Sequence, residues 1–358
     1  MIQKAVVLCA GEGSRLRPLT YSRPKHLLPV AGKPMLGWVL ESIRDAGLSE
    51  VGLVVGHHSE AVRRYVGNGG QWGLEVAYLP QLQPLGLAHA VLTARDYVED
   101  EPFIVYLGDN LIEGGITGFM DGLRGNSWDA GLLLKTVADP SRFGVAQVEG
   151  ECVTAVAEKP REPLSQLAIV GVYAFRPLIF DAISRVQPSA RGELEITDAI
   201  GLLVQEGRCV RWSEVEGLWE DAGEPTALLR ANREWLRRSR LSVAEATTEG
   251  CQVEGGVGVE AGARIRGSRL VGPCRIGRNC VVEDSTIGPD VAVDEGCEVR
   301  SSVLRNCVVQ RNTEIRGLRA GLVDSVLGEQ VTIIGPNLAE GGAPLSLLMG
   351  DMSHMKAQ

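Results

Sequence analysis

Nine aliphatic residues in the last third of the chain, Val259, Ile265, Leu270, Ile276, Val282, Ile287, Val293, Val299 and Leu304, follow one another at steps of six or five. The pattern closes on itself every 17 residues: Ile265 with Val282 and Val299, Leu270 with Ile287 and Leu304, Ile276 with Val293. The helical period of the preceding segment is gone, and the composition shifts to glycine and valine. A chain that returns an aliphatic side chain to the same offset once per coil is a parallel β-helix. Its flat faces each stack one column inward, and glycines such as Gly277 and Gly288 turn the corners. The spacing predicts this architecture for residues 241–358, with a C-terminal tail.

Residues 1–240 carry a different rhythm. Strand-like apolar runs at 5–8, 51–55 and 74–79 alternate with helical patterns at 35–46 and 59–66. Such βαβα alternation with short loops predicts an α/β domain, a mostly parallel, Rossmann-like sheet with helices on both faces. Ligands of such sheets sit at the carboxyl ends of the strands. The run 103–107 ends at such a position, followed by Gly108-Asp109-Asn110. An amphipathic helix over 226–243, with Leu228, Leu229, Ala231, Asn232, Trp235 and Leu236 along one side, closes this domain.

Composition removes several classes of function. The 358 residues suffice for two domains. A net charge of −9 argues against a nucleic-acid partner, which usually needs a basic face. The dense basic run Arg237-Arg238-Ser239-Arg240 reads as a solvated helix end with cations near the C-terminal dipole. No segment reaches the roughly 18–20 consecutive apolar residues of a membrane span, and the run at 6–10 is shorter than the roughly 7–15 residues of a secretory core. A cytoplasmic protein without a membrane partner is expected. The eight cysteines form no CxxC pair and lack histidines at metal-ligand spacing, which argues against zinc. Four of them, in the last third among small residues, read as compact buried hydrophobes.

The chain opens on Ala5-Val6-Val7-Leu8, then Gly11-Glu12-Gly13-Ser14-Arg15-Leu16-Arg17-Pro18, then Arg23-Pro24-Lys25. A buried strand feeding a glycine-rich loop between cations suits a phosphate-rich ligand. The glycines let backbone N–H groups approach phosphate oxygens, and Arg15 and Lys25 neutralise charge. A P-loop would need Gly-x4-Gly-Lys followed by Ser or Thr, and a dinucleotide fold Gly-x-Gly-x-x-Gly. Leu16 stands at the third glycine position, so both patterns fail.

What remains, with Pro24-Lys25, Pro29-Val30 and Lys33-Pro34-Met35 following, strongly resembles the nucleotidyltransferases that make sugar nucleotides. The segments 80–90, 107–110, Phe143-Gly144-Val145, Glu158-Lys159-Pro160 and 191–198 look like the successive blocks of glucose-1-phosphate thymidylyltransferases. With its β-helix the chain resembles the long, antibiotic-pathway type. The likeness of that helix to hexapeptide-repeat proteins implies the left-handed form.

The resemblance implies in-line attack of a sugar-1-phosphate oxygen on the α-phosphorus of a nucleoside triphosphate, dTTP or UTP, with pyrophosphate leaving. Two polyanions must be aligned, so charge neutralisation supplies most of the catalysis. Asp109 is the expected Mg²⁺ ligand, because a hard cation bridging phosphate oxygens is typically held by one or two carboxylates. Asp221 matches the family's second metal aspartate. Arg15 and Lys25 would clamp the triphosphate and the attacking phosphate. Leu8, Gly11, Gly13, Ser14, Gln81 and Gly86 fall at nucleotide-binding positions. Gln81 offers a donor and an acceptor that match O4 and N3–H of a pyrimidine-dione, without choosing thymine over uracil. Lys159 and Arg191 match the sugar-phosphate cations and Glu158 the carboxylate that takes the sugar hydroxyls. Asn110, Gly144 and Tyr173 match the sugar pocket, with Tyr173 also a core candidate. Two departures stand out: Asp221-Ala222-Gly223 where close relatives usually carry Asp-Thr-Gly, and Glu220 beside the metal position.

Two competing readings are weaker. Hexapeptide-repeat folds often carry acyltransferases, but that chemistry generally needs a histidine base on a coil. The five histidines are His26, His57, His58, His89 and His354, none of them within 241–335. A catalytically silent paralogue would lose Arg15, Lys25, Asp109 or Asp221, and all are present. The β-helix is then a stacking element, which predicts a homo-oligomer.

Overall fold

A computed structural model describes residues 2–57, 59–125, 127–239, 241–242, 246–335 and 342–356. The chain forms two compact units, Met1–Glu12 with Leu36–Asp221, and Gly13–Met35 with Ala222–Gln358. The division does not follow the change of period near residue 240. Residues 13–35 and the last helix of the α/β region group with the β-helix.

In the first unit, Lys4–Cys9 is buried at every position and flanked in parallel by Glu50–Val55 and Phe103–Leu107. Glu75–Pro80 continues the parallel array beside Glu50–Val55. A strand covered on both faces is continuously apolar, which is why 5–8 and 51–55 show no alternation. Parallel alignment puts the four carboxyl ends at one edge of the sheet. Gly11, Gly56, Gln81 and Asp109, which follow those ends, are delivered to that edge.

From this parallel core the sheet extends to nine strands through Leu167–Phe175, Ala130–Thr136, Val210–Glu214, Cys152–Glu158 and Gly144–Glu149. Leu167–Phe175 runs antiparallel to both of its main neighbours, while Val210–Glu214 and Ala130–Thr136 are parallel. The added half is therefore mixed. Phe103 anchors the interior, with its ring 6.1 Å from Phe175 and 5.5 Å from Phe180.

In the second unit, Ile265, Val282, Val299, Ile315 and Ile333 stack in direct register, each no more than 2% exposed. Leu270, Ile287, Leu304 and Leu322 form a second column, and Val259, Ile276, Val293, Val309 and Leu327 a third. The 17-residue step holds to Leu304. It shortens to 16 between Val299 and Ile315 and lengthens to 18 between Ile315 and Ile333, which hides the later coils from a search at fixed period. One corner carries a serine ladder. Ser268 Oγ accepts from the Ser285 N–H (3.1 Å), Ser285 Oγ from Ser302 (3.2 Å) and Ser302 Oγ from Leu318 (3.1 Å), so backbone donors in an apolar interior stay paired.

Cys274, Cys280, Cys297 and Cys307 complete the core, fully buried. Burial pushes the Cys274 and Cys307 thiols up to about 12, which keeps them protonated and unsuited to metal binding or nucleophilic attack. The helix expected over 226–243 spans Pro225–Arg238 and packs on the strands Val291–Val293, Val303–Val309 and Leu322–Leu327. Ala292 and Val308 alternate with core positions and so point outward, yet they are 3% and 1% exposed because this helix covers them. Arg237 and Arg238 end the helix and pair with Glu234, as a solvated helix end would; Arg240 lies outside the described residues. His58 also lies outside them.

Candidate active site

At the carboxyl edge of the first unit's sheet, Asp109 is 5% exposed and Asn110 3%. Asn110 opens a short strand, Asn110–Ile112, paired antiparallel with Trp219–Asp221, and its direct partner in that ladder is Asp221. The pairing brings the Asp109 and Asp221 segments, distant in sequence, side by side. Trp219 Nε1 donates to Asn110 Oδ1 at 2.6 Å and fastens the ladder from the side-chain direction. Glu220 is half-buried and pairs with Leu111. Among the described residues no group of three or more His, Cys, Asp or Glu side chains is arranged to hold a metal. A two-carboxylate set nevertheless fits a hard cation whose remaining ligands are phosphate oxygens and water.

A second cluster surrounds Glu158. Its Oε1 accepts from Arg191 Nη2 at 3.0 Å and lies 3.3 Å from Lys159 Nζ, and its Oε2 accepts from the Thr197 hydroxyl at 3.1 Å. Arg191 also donates to Glu195 Oε1 at 2.8 Å, where Ser189 Oγ donates as well. Burial works against the Arg191 charge, but the bond to Glu195 and the neighbouring carboxylates outweigh it and hold the guanidinium above its ordinary pKa. Gly144 fits between these groups: a Cβ there would come 2.9 Å from Thr197 Cγ2 and 3.3 Å from Glu158 Oε2. Tyr173 is 4% exposed and stacks on Phe175 at 5.6 Å. Burial first, and the Glu158 charge second, hold its phenol protonated well above the usual range. It is mainly a core residue with Glu158 nearby.

Phe143 links the two clusters. Its carbonyl accepts from the Lys159 N–H at 3.0 Å, and its ring lies 4.9 Å from that of Trp219. The path runs Lys159, Phe143, Trp219, Asn110, Asp221.

The third group follows Glu75–Pro80. The Gln81 N–H donates to the Val55 carbonyl at 2.9 Å, and its side chain, 8% exposed in all, places Nε2 2.9 Å from His89 Nδ1. Gly86 has φ +112°, and a Cβ there would meet the Leu194 backbone N and O at 2.6 Å. That close approach carries two hydrogen bonds, Leu194 N–H to Leu85 O (2.8 Å) and Ala88 N–H to Leu194 O (2.9 Å), which tie the Gln81 loop to the Arg191–Thr197 segment. Leu8, 6% exposed, is the last residue but one of the central strand, and Gly11 is exposed two residues past Cys9.

Gly13, Ser14, Arg15 and Lys25 belong to the second unit. Gly13 has φ +65°, and its Cβ would lie 3.0 Å from Lys25 Cβ, so the loop and the lysine stem are packed together. The Thr20 hydroxyl donates to the Gly13 carbonyl at 2.8 Å. Ser14 and Arg15 form an exposed single turn over Ser14–Leu16. Among the described residues Arg15 has no ion-pair partner. Thr197, Glu195, Trp219 and His89, which orient the expected site residues, carry no motif of their own beyond lying in or beside the recognised blocks.

The chain matches the family model described as nucleotidyl transferase over residues 4–238, and that described as GlmU-like, C-terminal hexapeptide, over residues 240–319. It is 41% identical over 357 residues to a glucose-1-phosphate thymidylyltransferase of Streptomyces griseus, covering 99% of both chains. To a protein of the same name from Streptomyces antibioticus it is 42% identical, over 92% of this chain and 93% of that one. Among solved structures, a putative glucose-1-phosphate thymidylyltransferase from Bacillus anthracis, in complex with a sucrose, superposes with a TM-score of 0.62 at 34% identity, over 67% of this chain and 97% of that one.

Proposed function

Since the chain belongs to the nucleotidyl transferase family, with a hexapeptide-repeat β-helix behind the transferase region, we propose that it makes a deoxythymidine diphosphate sugar from dTTP and glucose-1-phosphate, with UTP as the competing nucleotide. An oxygen of the sugar-1-phosphate attacks the α-phosphorus, the bond to the bridging oxygen of the β-phosphate breaks, and pyrophosphate leaves with that electron pair. The observation that carries this reading is the Phe143–Trp219 contact. It supports the reading because, with the Trp219–Asn110 bond and the Asn110–Asp221 ladder pair, it joins the Glu158 cluster to the strands beside Asp109 and Asp221.

Glu158 accepts sugar hydroxyls while Arg191 and Lys159 face the sugar phosphate, with Asn110, Gly144 and Tyr173 shaping the pocket. Gln81 reads the base edge, and Gly86 lets the base approach the backbone. Leu8, Gly11, Gly13 and Ser14 line the nucleotide, and Arg15 and Lys25 clamp the triphosphate and the attacking phosphate. Asp109 and Asp221 would hold Mg²⁺, which when bound withdraws charge from the phosphate oxygens. The domain boundary relevant to this chemistry falls near residue 240, with the transferase region before it.

The proposal includes a cytoplasmic homo-oligomer. No helix among the described residues is long and apolar enough to cross a membrane. A pyrophosphate-release matrix of dTTP, UTP, GTP, CTP and ATP against glucose-, mannose-, galactose- and N-acetylglucosamine-1-phosphate tests the assignment. Turnover is expected with dTTP and glucose-1-phosphate. Activity confined to GTP with mannose-1-phosphate would remove it.

A further inference from the structure

The segment that carries Gly13, Arg15 and Lys25 is fastened along its length to other parts of the second unit. The Ala31 N–H donates to Oδ1 of fully buried Asn232 at 2.9 Å, and Asn232 Nδ2 donates to the Asp290 carbonyl at 3.3 Å. The Arg275 guanidinium lies against Gly32, where a methyl would come 1.9 Å from Nη1, and Gly350 packs on Pro18.

The densest tie is at Arg23, two residues before Lys25. Its Nη1 donates to Glu329 Oε1 at 2.7 Å and to Gln310 Oε1 at 3.0 Å, and its Nη2 to Asp351 Oδ2 at 2.6 Å. Asp351 is itself fixed: Oδ1 accepts from the Glu329 N–H at 2.8 Å, and Oδ2 from the Ser22 hydroxyl at 2.5 Å. The Arg23 side chain is 16% exposed and that of Asp351 12%, so solvent screens this pair far less than a surface one. Burial opposes the Arg23 charge, and the bonds to Glu329 and Asp351 more than compensate, holding its pKa above the ordinary value.

Burying an arginine with two carboxylates is a costly way to stabilise a β-helix whose columns are already apolar, and a hydrophobic substitute of similar volume often does as well. What the charges add is geometry, since three donor–acceptor contacts fix one guanidinium in place. We propose that the last coils of the β-helix are the seat of the anion-binding segment. Arg23, Glu329 and Asp351 act as positioning residues that hold Lys25 and the Gly13 loop in the arrangement that binds polyphosphate. The proposal rests on the reading of Arg15 and Lys25 as the clamp on the phosphates.

The test uses the full chain with Glu329→Gln and Asp351→Asn together, and inorganic tripolyphosphate as the probe. Amide exchange across 13–35 should quicken about tenfold while 257–333 keeps its protection. Tripolyphosphate affinity by calorimetry should fall about tenfold or more, the loss of one charge-assisted contact. Turnover should fall about tenfold with the sugar-phosphate KM held within about twofold. Arg23→Lys, which keeps the charge but not the fork, should show the same changes in smaller measure.

Unchanged exchange over 13–35, unchanged tripolyphosphate affinity, or a native chain that does not bind tripolyphosphate would each overturn the proposal. So would loss of protection throughout the β-helix in both variants, which marks a purely structural role. A native chain that binds tripolyphosphate but releases no pyrophosphate with any substrate pair would sink the assigned reaction instead. The seat would still be judged by exchange and affinity.

Discussion

The β-helix and the α/β unit bury equally apolar interiors, but they encode them differently. In the β-helix each buried residue meets its counterpart one coil away, so Ile265, Val282 and Val299 announce their contact by a fixed step in sequence. In the α/β unit, Asn110 meets Asp221 and Glu158 meets Thr197 across intervals that no period describes. The first region repeats one local solution. The second assembles a site once, from segments whose only common property is that they end at neighbouring strand edges. The β-helix should therefore fail in stability when a column is broken, and the α/β unit in chemistry when a strand-end residue is changed.

The largest effect is expected at Asp109. Asp109→Ala removes a proposed metal ligand and little core volume, so turnover should fall by more than about 100-fold, beyond the loss typical of residues that only orient ligands. The thermal midpoint should move by no more than a few degrees. Pyrophosphate release and circular dichroism check both parts, and retained activity would take Asp109 out of the site.

Next comes Leu304→Ala. Leu304 is fully buried between Ile287 and Leu322, and the column cannot collapse to fill the gap, so the cost is about 2–5 kcal/mol. Urea unfolding followed by amide exchange of the second unit reads it. A loss under about 1 kcal/mol would show that the stack is less tightly packed than its burial indicates.

Glu158→Gln keeps the shape of the side chain and removes its charge beside Arg191, Lys159 and the Thr197 hydroxyl. A charge-assisted hydrogen bond contributes about 1.5–3 kcal/mol, so the KM for the sugar phosphate should rise about tenfold or more. A fall in kcat at constant KM would instead place the Glu158 interaction in the transition state.

How much of this was legible in advance follows from the same contrast. The strands at 5–8, 51–55 and 103–107 form within one residue of their expected limits, because burial on both faces leaves a continuous apolar run, and the half-buried edge strand expected at 74–79 forms over Glu75–Pro80. The insertion of Leu167–Phe175 as an antiparallel strand beside Phe103–Leu107 was not legible, since pairing partners leave no mark on either segment alone. The β-helix was readable to Leu304 and lost its period where a coil shortened. Gly86 could be singled out by its residue type and explained only by the Leu194 backbone that fills the space of its missing side chain. The helix Pro225–Arg238 was correctly seen as amphipathic, but nothing in its own pattern says that its apolar side covers Ala292 and Val308.

The smallest expected effect concerns His89, which no pattern singled out. Gln81 Nε2 lies 2.9 Å from His89 Nδ1, so in the tautomer that carries its proton on Nε2 the imidazole accepts from the amide. In that tautomer the bond holds the sense of the amide and leaves one N–H and the carbonyl oxygen for a base. A pyrimidine-dione offers the complementary pair, O4 as acceptor and N3–H as donor, whereas cytosine offers the reverse at both positions. Turning the amide to suit cytosine would break that bond unless the imidazole proton moved to Nδ1. His89→Ala removes that restraint, and with a neutral hydrogen bond contributing about 1 kcal/mol the preference for dTTP over CTP should fall about fivefold in kcat/KM. An unchanged ratio would mean that the amide is held in its sense by the base alone, and that His89 serves only to pack the helix Leu87–Leu92.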